Sequence, residues 1–144
     1  MIRTMAGIFL LGLSASLFGL DLPEGARSWD DDGNGSPDRW EAMNEKGGLS
    51  IYMDTSGDGE VDYLLEQDDE GYKSYEAVDF NHDGEMDDYY FYSREVLVRR
   101  EIDSNFDGRV DIWVKLSEGV YVEGYERDTD FDGIVDMTKK FGDS

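Results

Sequence analysis

The chain has 144 residues, with 35 Asp and Glu against 13 Lys and Arg, for a net charge of −22. That balance argues against a nucleic-acid partner, because phosphate contacts need clustered Lys and Arg, and against an anionic membrane surface. Cysteine is absent, so disulfide staples, thiolate nucleophiles and zinc–thiolate clusters are excluded.

Taken from the start, residues 1–19 read as a secretory signal. Arg3 gives a basic start, Met5 to Leu13 are almost wholly apolar, and small residues follow at Ser14, Ala15, Ser16 and Gly19. The apolar run is short of the roughly 20 residues that a transmembrane helix needs. An uncleaved anchor is the other reading. Residues 20–144 then form one domain, expected to be secreted or periplasmic and free of the membrane once the signal is cleaved. Its first ten residues, with Pro23 and Gly25, read as an irregular lead-in that ends at Trp29.

From Asp30 onward a nine-residue pattern, D-x-[DNS]-x-[DN]-G-x-x-D, occurs five times. The copies start at Asp30, Asp54, Asp79, Asp103 and Asp128, at intervals of 24 or 25 residues. Between copies lie short runs rich in Tyr, Phe, Trp, Val and Ile, which suit strands. They are Arg39 to Asn44, Leu49 to Met53, Tyr63 to Gln67, Tyr72 to Val78, Asp88 to Tyr92, Val96 to Ile102, Ile112 to Leu116, Val120 to Arg127 and Met137 to Phe141. Turn residues such as Glu45-Lys46-Gly47-Gly48 and Asp68-Asp69-Glu70-Gly71 separate them in pairs. The runs are too short for helices. The expected fold is all-β: five tandem repeats, each a loop plus a β-hairpin, forming a meander sheet of about nine strands, a barrel or a solenoid. Alternation within the runs is untidy. Tyr89-Tyr90-Phe91-Tyr92 is apolar on both faces, and Glu76, Arg99 and Arg100 interrupt others.

The pattern has the chemistry of a metal loop. Oxygens at positions 1, 3, 5 and 9 can converge if the chain turns tightly at position 6, which is always glycine: Gly35, Gly59, Gly84, Gly108 and Gly133. Position 7 offers a backbone carbonyl. The candidate ligands are thus Asp30, Asp32, Asn34, Ser36 and Asp38 in loop 1, and Asp54, Ser56, Asp58, Glu60 and Asp62 in loop 2. Loop 3 supplies Asp79, Asn81, Asp83, Glu85 and Asp87, loop 4 supplies Asp103, Asn105, Asp107, Arg109 and Asp111, and loop 5 supplies Asp128, Asp130, Asp132, Ile134 and Asp136. Hard oxygen donors in a flexible shell point to Ca²⁺, up to five ions. Position 8 is apolar (Pro37, Val61, Met86, Val110, Val135), as suits a chain leaving the loop for a core. Ordinary polar turns also favour Asp, Asn and Gly. A turn needs one or two such residues, however, whereas a cation explains three or four carboxylates crowded together.

The first half of each loop resembles that of an EF-hand. The second half departs from it, since position 12 is Glu41, Leu65, Tyr90, Val114 and Lys139, and four of these five cannot supply the bidentate glutamate. With aspartate at position 9 instead, the loops resemble the calcium loops of FG-GAP repeats in integrin-type propellers and those of thrombospondin type 3 repeats, and the chain looks like an exported, bacterial-type calcium-loop repeat protein. The resemblance implies calcium at the loops. It does not extend to the propeller, whose blades need about 40 residues or more.

Enzymatic chemistry is not indicated. The single histidine, His82, stands at loop position 4, where a side chain is expected to face solvent, and no Ser-His-Asp triad can be built without another. Trp40, Leu64, Tyr89 and Trp113 recur two residues after position 9 and form either a core column or a stacking platform. The expected function is a calcium-binding scaffold or binding module, with an extracellular protein or glycan as partner. A calcium-dependent carbohydrate-binding module is the alternative, and a calcium-dependent hydrolase the third reading.

Overall fold

The computed structural model describes residues 20–142, so the signal expected over 1–19 lies outside it. Among the described residues there is no helix. Ten strands are present: β1 (Arg27–Trp29), β2 (Arg39–Met43), β3 (Leu49–Met53), β4 (Tyr63–Gln67), β5 (Lys73–Val78), β6 (Asp88–Ser93), β7 (Val96–Ile102), β8 (Ile112–Ser117), β9 (Tyr121–Arg127) and β10 (Met137–Lys140). They form one antiparallel sheet in sequence order. The chain is therefore an open meander, with β1 at one edge and β10 at the other. The nine runs read from sequence become β2 to β10 with ends shifted by at most one residue. β1 arises where an irregular lead-in was expected. It pairs with β2 through Arg27↔Glu41 and Trp29↔Arg39, and the Arg39 guanidinium lies 4.5 Å from the centre of a Trp29 ring.

The turns follow from local chemistry. Asn44 and Asp68 each open a hairpin turn whose side-chain oxygen accepts two backbone N–H bonds, from Lys46 and Gly48 and from Glu70 and Tyr72. The turns after β6 and β8 place two residues each at positive φ, Arg94 with Glu95 and Glu118 with Gly119. Such turns match the strand twist. At Gly48 a Cβ would fall 2.1 Å from the Gln67 carbonyl oxygen, so the neighbouring hairpin can close only over glycine.

Strand register sorts the aromatics onto faces. One cross-strand row runs Ser28, Trp40, Tyr52, Leu64, Ala77, Tyr89, Glu101, Trp113, Glu126, Thr138. Its middle is the core: Tyr52, Leu64 and Ala77 are buried with Val61 and Met86, and Trp40 and Tyr89 pack against them. Trp40, Leu64 and Tyr89 thus act as the core column, with β3 and β5 contributing the residues in between. Val61 and Met86 come from position 8 of loops 2 and 3, so these loops are pinned to the core from above. Pro37 and Val135, the equivalents in the outer loops, are exposed.

The opposite face carries a polar network among its aromatics. Asp88, 1% exposed, is bound by Arg100. Glu76 accepts hydrogen bonds from the Tyr63 and Tyr92 hydroxyls and from Lys73. Glu76 and Arg100, which break the apolar alternation in sequence, are the members of these two clusters.

Candidate metal centre

In a meander, alternate connections lie at the same end of the sheet. The five nine-residue loops join β1 to β2, β3 to β4, β5 to β6, β7 to β8 and β9 to β10, so all five stand in a row along one end. The hairpin turns occupy the other. The loops are also linked directly. The Asp54 N–H donates to the Asp38 carbonyl at 2.9 Å, Asp79 to Asp62 at 2.8 Å, Asp103 to Asp87 at 2.7 Å and Asp128 to Asp111 at 2.9 Å. Position 1 of each loop is therefore stitched to position 9 of the loop before it.

Each loop is shaped by its own side chains in the same way. The position-1 carboxylate accepts from the position-6 glycine N–H: Gly35 to Asp30 at 2.9 Å, Gly59 to Asp54 at 2.8 Å, Gly84 to Asp79 at 2.8 Å, Gly108 to Asp103 at 2.7 Å and Gly133 to Asp128 at 2.7 Å. The position-5 side chain accepts from the position-7 N–H, so that Asn34, Asp58, Asp83, Asp107 and Asp132 hold Ser36, Glu60, Glu85, Arg109 and Ile134. The position-9 carboxylate accepts from the position-2 N–H: Asp38 from Asp31, Asp62 from Thr55, Asp87 from Phe80, Asp111 from Ser104 and Asp136 from Thr129. These bonds are why Asp54, Asp62, Asp79, Asp87, Asp103, Asp111 and Asp128 can be buried. The backbone responds at two positions. Position 6 has φ between 81° and 95°, and position 4 is left-handed in all five loops, at Gly33, Gly57, His82, Phe106 and Phe131.

The sequence pattern did not single out position 2. In three loops its hydroxyl also donates to the position-9 aspartate: Thr55 to Asp62 at 2.8 Å, Ser104 to Asp111 at 2.8 Å and Thr129 to Asp136 at 2.7 Å. The recurrence of Ser or Thr there was the available clue.

Carboxylates converge in three of the loops. Oxygens of Asp30, Asp32 and Asp38, of Asp54, Asp58 and Asp62, and of Asp128, Asp130 and Asp136 lie within 4.8 Å of one another in each group. The acidic residues of loops 3 and 4 are not drawn together to that extent among the described residues. There the position-3 asparagine turns its amide onto the position-5 carboxylate, Asn81 to Asp83 at 2.8 Å and Asn105 to Asp107 at 3.1 Å. In loop 4 the Arg109 guanidinium also holds Asp107, at 3.0 Å. The side chain of Glu85 reaches out of loop 3 to Gly108 of loop 4.

The electrostatics reflect the crowding. Repulsion from Asp132 is the main cause that raises the Asp130 pKa, and burial raises that of Asp87. Asp62 differs. Burial alone would push its carboxyl up, but the neighbouring His82 imidazole and the hydrogen bonds from Thr55 and Ser56 outweigh it and hold the pKa below the usual value. His82 is not simply solvated, as its loop position suggested. Its side chain is 46% exposed, and Nδ1 lies 3.1 Å from Asp62 Oδ1 in the preceding loop. That contact has hydrogen-bond distance but not hydrogen-bond alignment, and Asp62 Oδ1 is left buried without a partner.

At the far end of the sheet, Trp113, Arg99, Lys115, Tyr121 and Tyr125 line an open groove of about 1150 Å³. No helix among the described residues is long and apolar enough to cross a membrane.

No family model and no curated protein matches the chain. Among solved structures it is similar to part of the accessory secretory protein 1, 2 and 3 structure from Streptococcus pneumoniae, at 16% identity and a TM-score of 0.44. The likeness covers 72% of this chain and 18% of that one.

Proposed function

We propose that the chain is an exported calcium-binding repeat protein, secreted or periplasmic, in which the ions serve structure and the sheet serves as a binding or scaffold module. The observation that carries this reading is loop 2, where Asp54, Asp58 and Asp62 converge and the 2%-exposed Asp62 keeps one oxygen without a hydrogen-bond partner. A buried carboxylate oxygen left unpaired is costly, and a hard cation at the cluster would satisfy it. The donor set is all oxygen, which fits Ca²⁺. The same loop chemistry recurs five times, so the proposal extends to five repeats and up to five ions, with the position-7 carbonyls completing each shell.

The ion would supply charge neutralisation. A chain of net charge −22 stacks five acidic loops side by side, and each site filled at tenfold excess over its Kd would add about 1.4 kcal/mol to folding. Sites with Kd of roughly 10⁻⁴ to 10⁻³ M would fill outside a cell and stay empty within it, which agrees with an exported chain.

Thermal melts of the purified protein in excess EDTA and in about 2 mM calcium test the proposal. A large rise in Tm with calcium is expected, and titration calorimetry would then count the sites. Coincident melts with no heat of binding would reduce the loops to polar turns.

The groove around Trp113 favours one second reading, a calcium-dependent carbohydrate-binding module, because aromatic faces beside charged side chains suit sugar rings. Glycan-array binding abolished by chelator would support it. No binding with quench-resistant tryptophan would exclude it.

A further inference from the structure

We propose that the trough around Arg127, on β8, β9 and β10, is a binding site for a carboxylate with an apolar tail, that is, a fatty acid. The site needs no ion in the loops. It lies on the face opposite Trp113, since neighbouring residues of a strand, here Ile112 and Trp113, point to opposite sides.

The repeat makes Arg127 stand out. The residue directly before each loop is Trp29, Met53, Val78, Ile102 and, in the fifth repeat, Arg127. Strand register joins these five in one cross-strand row with Arg39, Tyr63, Asp88, Ile112 and Met137. Two other residues of that row are charged, and both are paired: Arg39 with Asp31 and Glu41, and Asp88 with Arg100. Arg127 makes no ion pair among the described residues, although the chain has 35 acidic side chains against 13 basic ones. Its Nε is buried without a hydrogen-bond partner. The other described cations without an ion pair, Arg27, Arg94, Lys139 and Lys140, are exposed to water, whereas Arg127 is half-buried.

The guanidinium stands in an apolar trough. Ile112, Val114, Val122, Tyr125, Met137 and Phe141 line it with Arg127, around a volume of about 430 Å³, which is within the range of small-molecule sites. Among the described residues no acidic side chain lines it. The Tyr125 hydroxyl turns to the Met137 sulfur, 3.7 Å away. Lys139 rests over the Phe141 ring at 4.9 Å and is not part of the lining. One cation in such a lining calls for a ligand with one anionic group and an apolar remainder. The guanidinium fork matches a carboxylate. A peptide fits poorly, since its amide groups would lie against apolar walls with nothing to bond. An acyl chain has no such groups. By covering Val122 and Met137, 42% and 44% exposed, it removes apolar surface from water.

Titration calorimetry of the purified protein with decanoate, kept below the solubility of its calcium salt, tests the proposal. One site is expected, with affinity rising about two- to fourfold for each methylene from hexanoate to decanoate and with acetate failing to bind. Arg127→Ile, which installs the residue that precedes loop 4, should weaken decanoate about tenfold or more. It should leave the weaker binding of decanol unchanged and melt no lower than the parent. Val122→Glu, which keeps Arg127 and puts a charge in the path of the tail, should weaken decanoate and decanol alike. Equal decanoate affinity in the parent and Arg127→Ile would overturn the inference, as would an affinity independent of chain length. A peptide with an apolar C-terminus that binds through Arg127 where decanoate does not would also overturn it, and would give the trough to a protein partner.

Discussion

Arg100 on β7 grips Asp88 on β6 with two nitrogens. Nε donates to Oδ1 at 2.8 Å, and Nη2 donates to Oδ2. Asp88 directly follows the last residue of loop 3, so the pair ties the loop end to the next strand. Removing one partner from a buried ion pair leaves the other charge uncompensated. Because Arg100 itself is partly open to water, Arg100→Ala should cost about 2–3 kcal/mol, somewhat below the range for a sealed pair. Urea unfolding of Arg100→Ala, Asp88→Asn and the double variant would measure it. A double variant no worse than either single one is expected, and additive losses would show that the two residues act separately.

Gly59 sits at φ of 94°, with nothing within 4 Å of where a Cβ would be. Gly59→Ala therefore isolates backbone strain from steric conflict. A loss of about 1–2 kcal/mol is expected, the usual cost of forcing an L-residue into such a conformation. A melt unchanged within half a kilocalorie would mean that the loop relaxes to another turn.

Leu64 is 6% exposed and lies between Tyr52 and Ala77 in the core row. Leu64→Ala should destabilise the sheet by about 2–4 kcal/mol. Hydrogen exchange should show the loss concentrated in β3 to β6, where the buried residues lie. An equal loss of protection in β9 and β10 would indicate that the sheet unfolds as one cooperative unit.

The Glu76 cluster sets a pH dependence. Burial alone pushes the Glu76 carboxyl up, but hydrogen bonds from Tyr63, Tyr92 and Lys73 outweigh it, and its pKa falls below the usual 4.5. A depressed carboxyl stabilises the fold above its unfolded-state value and loses that contribution as pH falls through the folded-state value. The tyrosines act at the other end. Burial, then the hydrogen bond to Glu76, raise Tyr63 and Tyr92 above the usual 10. Their contribution is complete below pH 10 and is lost as pH climbs towards their folded-state values. Glu76→Gln should flatten the acid limb of a stability–pH curve. An acid limb identical to the parent's would remove Glu76 from the account.

Much of the fold could be read from the residues because its signals are local. Strand runs such as Leu49 to Met53 are bounded by Gly48 on one side and Asp54 on the other, and a meander needs no long-range pairing to be guessed. β1 escaped notice because Arg27-Ser28-Trp29 is too short to carry a pattern and becomes a strand only beside β2. The face that holds the core was hidden for a different reason. Aromatics alternate onto both faces of β6, and only register with Leu64 and Ala77 shows that Tyr89 faces the core while Tyr90 faces Arg100. Within the loops, the tight turn at the position-6 glycine follows from spacing alone, and the N–H bonds it donates to position 1 emerge only from the structure. The contacts between loops likewise emerge only there. His82 meets Asp62 twenty residues away because the sheet sets their loops side by side, which no repeat pattern states.

The neighbours-only pairing of the strands also has a mechanical meaning. Tension applied to the two ends would load the hydrogen bonds of an edge strand one pair at a time, as in opening a zip, rather than shearing a whole strand past its neighbour. The sheet would yield in steps, each freeing one repeat of 24 or 25 residues and about 80 Å of contour at roughly 3.4 Å per residue. The cross-links between consecutive loops lie at the end of each step and would set the force at which the next one gives way. Extension of the sheet would therefore be counted in repeats.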